Sequence, residues 1–149
     1  MEGDARTPEP RFRWIVAFSA ALILAIAMGT LVNGMSAFLV PLEEAFGWSR
    51  AETAAINSFG LIGIAIGGIL MGFLADNLAT RTVCLVGAVA MCLALLASAY
   101  ATALWQFYTL FFIAGALGGG AFFAPVIALV GGWFRTSAGL AIGLSLIHI

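Results

Sequence analysis

Four long apolar runs, each closed by a short polar break, set the pattern of this chain. The first extends from Trp14 to about Pro41 and ends in PLEEAFGWSR, where Glu43, Glu44 and Arg50 need water or lipid headgroups. A second covers about Ala51 to Ala75, a third about Thr82 to Ala101 and a fourth Trp105 to about Val130. After the break GGWFRTSAG a fifth run starts at about Gly139. Crossing the hydrocarbon core takes about 20 apolar residues, and in lipid such a segment must satisfy its backbone within a helix. The pattern therefore predicts four transmembrane helices, about 14–41, 51–75, 82–101 and 105–130, with the fifth cut short. Residues 1–13 are polar and predict a cytosolic tail, followed by a signal anchor that is retained, because the first apolar run is far longer than a cleavable signal core.

Composition points the same way. Hydrophobic residues make up 63% of the chain and charged residues only 9%, with a mean hydropathy of +1.12, whereas a soluble domain carries roughly a quarter charged residues. An all-α membrane protein follows. The six basic residues are scattered arginines in a chain of net charge −1, so there is no basic face for nucleic acid. Cys84 and Cys92 share one apolar run and read as packing residues without a disulfide framework. His148 is the only histidine, and HExxH, CxxC and Walker A motifs are absent. We therefore expect no enzyme, no metal and no cofactor.

Arginine placement predicts the orientation. Arg6, Arg11, Arg13, Arg81 and Arg135 fall on one side of the membrane and only Arg50 on the other, so the N-terminus is expected in the cytosol, with the protein in the plasma (inner) membrane. Trp48 and Trp105 mark one interface, and Trp14 and Trp133 the other. Small residues four apart, Gly63/Gly67, Gly68/Gly72, Gly115/Gly119 and Ala116/Gly120, predict faces on which helices approach closely. Pro125 predicts a kink in the fourth helix.

Few polar side chains interrupt the spans: Asn33, Ser36, Asn57, Ser58 and Gln106. Asn33, at near-midplane depth and followed by Gly34, is the candidate for a substrate pathway, with an interhelical hydrogen bond as the alternative. In the break GFLADNLATRTV, Asp76 closes a helix against the negative end of its dipole. That placement calls for a neighbouring basic group or the N-terminus of another helix, unless Asp76 is simply a solvated loop acid.

The same break resembles the loop between the second and third helices of the major facilitator superfamily, Gly-x-x-x-Asp-Arg-x-Gly-x-Arg/Lys. Gly72, Asp76 and Arg81 match, while Asn77 and Ala79 stand in place of arginine and glycine. PLEEAFGWSRAET and GGGAFFAPVIALVGGWFRTSAGLAIG resemble the branch of monocarboxylate transporters and oxalate/formate antiporters, the second stretch carrying Arg135 and Gly139 of the helix 4–5 loop motif. The resemblance spans about residues 14–143. It implies a twelve-helix secondary transporter of which this chain holds the first four helices and the start of the fifth. Its solute would be a monocarboxylate or similar organic anion, moved by alternating access with a coupling proton or counter-anion. Asp76 would latch the cytosolic side shut. Alternatives left open by the residues are a small four-helix protein acting as a dimeric transporter, or a scaffold that does not transport. Residues 144–149, LSLIHI, resemble the translation of a sequencing-library adapter and carry no argument.

Overall fold

The computed structural model describes residues 12–133 together with 139, 142 and 143. Four helices long and apolar enough to span a membrane are present: α1 (Phe12–Phe46), α2 (Arg50–Asn77), α3 (Thr80–Ser98) and α4 (Leu104–Gly132). No strand occurs among the described residues. The connections are too short to cross the bilayer, so successive helices run antiparallel.

Local chemistry sets the helix ends. The first helix does not stop at Pro41, where its apolar run suggested an end. It continues to Phe46, because a proline withholds one N–H and leaves the rest of the ladder intact. Gly47 ends it instead: at φ 70° its N–H bonds to the Glu43 carbonyl, a left-handed turn that glycine enters without steric cost. Ser49 then opens α2 through a reciprocal cap, its hydroxyl accepting from the Glu52 N–H while its own N–H donates to the Glu52 carboxylate at 2.9 Å. Only Leu78 and Ala79 join α2 to α3. Ala79 has an ordinary φ of −59°, so the turn does not need the glycine that the resembled motif has there. The third helix ends at Ser98, short of Ala101, and a turn runs from there to Ala103.

α4 packs against each of the other three helices. Its contact with α2 is backbone against backbone. A Cβ added at Gly67 would lie 2.5 Å from the Ala116 Cα, one at Gly63 2.9 Å from the Ala116 nitrogen, and one at Gly120 2.7 Å from the Gly68 nitrogen. The stripe on α2 is Gly60, Gly63 and Gly67, all buried. Gly68 is not part of it, having nothing within 4 Å of an added Cβ, and Gly72 meets only the Ala124 Cβ at 3.8 Å. At 100° per residue, Gly68 points away from the line that Gly63 and Gly67 share. α1 adds a buried stripe of Ala17, Ala20, Leu24, Ala27, Leu31 and Met35. Phe18, Ile69 and Phe73, each at least 70% exposed, face outward, where lipid is their solvent.

α1 and α4 each contain a π-turn, Gly29–Asn33 and Ala114–Gly119. There the Gly34 N–H reaches back to the Gly29 carbonyl and the Gly120 N–H to that of Gly115. The two turns touch.

Gly67→Ala should lower stability by about 1–3 kcal/mol through overpacking, whereas Gly68→Ala beside it should stay within about 0.5 kcal/mol of the parent. Thermal unfolding in detergent micelles measures both, and equal losses would refute the backbone contact.

Candidate functional site

An open cleft of about 610 Å³ lies between the C-terminal parts of α2 and α4. Gly72, Asp76 and Thr80 line one side, and Ala124, Pro125 and Gly132 the other. Asp76 lies in the last turn of α2, which has no basic residue. Its carboxylate is exposed and has neither hydrogen bond nor ion pair among the described residues. Arg81, exposed in the first turn of α3, does not bridge to it. The neutral Asn77 closes the helix instead, donating from Nδ2 to the Phe73 carbonyl at 3.0 Å. Asp76 thus faces the negative end of its own helix dipole with no side-chain partner among the described residues, in a cleft that also touches Thr80, where the positive end of α3 begins. Gly72 lines the cleft with room for a methyl group. Arg135 lies outside the described residues, and Gly139 is described only as helical and exposed.

Asn33 occupies the end of the π-turn in α1. Its carbonyl accepts from the Ser36 hydroxyl at 2.6 Å, but its carboxamide has no partner among the described residues. Leu31 and Met35, two positions to either side, are buried, so Asn33 stands on the opposite, exposed face of the helix. One turn on, Pro41 withholds the N–H that would meet the carbonyl of Ala37, which is also exposed. A carboxamide and a vacated carbonyl therefore share one face of α1, a combination that lipid does not tolerate without a polar partner or water.

At the other end of the bundle, FGWS has an architectural task. Phe46 stacks on Trp48 at 4.4 Å between centroids, and Trp48 meets the edge of Phe107 on α4 at 5.4 Å. Tyr108 stacks on Phe59 at 4.6 Å and donates its hydroxyl to the Glu52 carbonyl at 3.0 Å. These contacts tie α1, α2 and α4 together. Gln106, a candidate on polarity alone, caps α4: its Oε1 accepts from the backbone N–H groups of Thr102 and Ala103 at 2.8 and 3.1 Å. Composition marked none of these partners of Trp48 and Tyr108, although aromatic residues next to caps were the available signal. Cys84, read from the sequence as filler, donates to the Ala121 carbonyl. Its signal was Pro125, four residues beyond the acceptor.

The Major Facilitator Superfamily model matches residues 14–148. The chain is 27% identical over 148 residues to Monocarboxylate transporter 14 of Homo sapiens, covering 95% of this chain and 29% of that protein. It is 26% identical over 136 residues to the MFS-type transporter YcxA of Bacillus subtilis (strain 168), covering 91% and 33% respectively. With Monocarboxylate transporter 2 of Mus musculus the identity is 22% over 139 residues, covering 93% and 28%. The chain spans about a third or less of the length of these relatives.

Gln106→Ala should cost about 1 kcal/mol, as the loss of a helix cap does, read as a lower unfolding temperature. A variant as stable as the parent would show that the two N–H contacts contribute nothing.

Proposed function

The chain belongs to the Major Facilitator Superfamily, and from that membership we propose that it forms the N-terminal part of a secondary transporter. It is an integral, multi-pass membrane protein. In our reading it sits in the plasma (inner) membrane with its N-terminus in the cytosol, and its solute is a small organic anion, a monocarboxylate in the first instance. Two of the relatives carry that solute class in their names. Transport proceeds by alternating access, with a proton or counter-anion as the coupled species.

The observation that carries the proposal is Asp76, without a side-chain partner among the described residues, lining the cleft between α2 and α4. A carboxylate set against its own helix dipole gains from any positive group brought opposite it. In the proposed cycle, the closed cytosolic side supplies that group from the other half of the transporter, and opening removes it. Gly72 lines that cleft without a side chain. By their positions in the sequence, Arg81 and Arg135 both count toward the cytosolic side, where arginine holds the orientation of the chain.

The polar face of α1 supports the second part of the reading. Asn33 and the Ala37 carbonyl face outward from this bundle at membrane depth. We assign them to the wall of a water-filled solute pathway, because a lipid-facing position would leave both unsatisfied.

In the full-length protein reconstituted into vesicles, Asp76→Asn should insert normally and lose at least about tenfold in monocarboxylate uptake, the equivalent of about 1.4 kcal/mol. Wild-type uptake by that variant would remove Asp76 from the gate. Asn33→Cys, in a background with Cys84 and Cys92 changed to serine, should react with a membrane-impermeant thiol reagent and be protected by solute. Absence of labelling under turnover would place Asn33 against lipid or protein.

A further inference from the structure

Pro125 breaks the hydrogen-bond ladder of α4 at one identifiable acceptor. Having no N–H, it leaves the carbonyl of Ala121, four residues earlier, without the donor that an α-helix normally supplies. Within the hydrocarbon no water competes for such a group, and a vacancy has to be met by a neighbouring helix. Cys84 of α3 meets it: the thiol lies 3.6 Å from the Ala121 oxygen and donates to it.

The surroundings of that bond are shaped for close approach. Gly87, three positions further along α3, sits so near α4 that an added Cβ would lie 2.5 Å from the Ala121 Cβ and 2.8 Å from the Leu117 oxygen. Gly118 of α4 in turn leaves room for Met91, whose Cβ would be 2.6 Å from a Cβ added there. Cys84, Gly87 and Met91 form one helical stripe, so α3 presses against α4 where the ladder is interrupted. Pro125 and Ala124, immediately beyond, line the cleft that also holds Asp76. Cys92 is exposed and has no part in this contact.

We propose that Cys84 is a positioning residue. Its thiol clasps the proline break of α4 and so holds the Pro125 side of the cleft in the shape that faces Asp76. The effect on transport rests on the gate reading given above, but the bond itself does not.

Infrared spectroscopy of the S–H stretch in the purified full-length protein tests the bond directly. In Cys92→Ala, which leaves the clasp native, the Cys84 band should lie at lower wavenumber than the Cys92 band seen in Cys84→Ala. Cysteines elsewhere in the full-length protein are removed by difference against Cys84→Ala/Cys92→Ala. Pro125→Ala restores an N–H for Ala121 and should move the Cys84 band back toward the Cys92 position. Thermal unfolding supplies the cycle: Cys84→Ala should lower the midpoint by several degrees when Pro125 is present and much less in the Pro125→Ala background, and Cys84→Ser should recover most of the loss. Coincident bands, or equal losses in both backgrounds, would overturn the clasp. For the link to the cleft, Cys84→Ala should slow uptake severalfold with rescue by Cys84→Ser, and wild-type uptake would overturn the positioning role. Failure of Asp76→Asn to reduce uptake strikes the gate reading alone and leaves the infrared result standing.

Discussion

The contact between the backbones of α2 and α4 is the constraint on which the rest of the bundle depends. In water, burial of apolar surface would drive these helices together, but lipid is as apolar as leucine and offers no such force. Attraction must then come from dispersion between atoms at close range, which falls off steeply with any gap. Gly60, Gly63 and Gly67 on α2, with Gly115, Ala116 and Gly120 on α4, remove the side chains that would open one. Once α4 is held this closely, α3 reaches it through Gly87 and Gly118, and α1 through Leu31 against Gly119. The connection between α2 and α3 is only two residues, yet α3 finds most of its contacts on α4.

The two ends of the bundle are built differently. One is tied by Trp48, Phe107, Phe59 and Tyr108 together with the Ser49 and Gln106 caps, so chain reversal and packing there share the same residues. The other holds the cleft, a carboxylate with no side-chain partner among the described residues, and a proline. A carboxylate at the negative end of its own helix gains from a positive group brought opposite it, which is why the proposed gate is assigned to this end.

Broken ladders recur in the two helices that carry these features. α1 has a π-turn followed by Pro41, and α4 a π-turn followed by Pro125. The turns touch near the middle of the bundle, while α2 and α3 run as uninterrupted helices. In α4 the vacated carbonyl is met from a neighbouring helix. Ala37 of α1 is exposed, and the proposed solute pathway supplies its water.

Hydropathy alone was enough to reveal four spanning helices and an all-α fold, because the length and apolarity needed to cross lipid are local properties of the chain. The arginine asymmetry and the spacing of Gly72, Asp76 and Arg81 can also be read from short segments, and the orientation and latch drawn from them stand as proposals. Helix ends were less so: the apolar run points to an end at Pro41, whereas Gly47, through its positive φ, terminates the helix. Which glycines carry the packing, Gly60 and Gly63 and Gly67 but not Gly68, became visible once α4 was in place, because spacing defines several stripes and a partner selects one. The donor from Cys84 to Ala121 and the isolation of Asp76 from Arg81 are likewise contacts across space. They depend on helix packing that brings together residues 37 positions apart in the one case and on side-chain direction in the other, and neither quantity is written in the order of residues along a single helix.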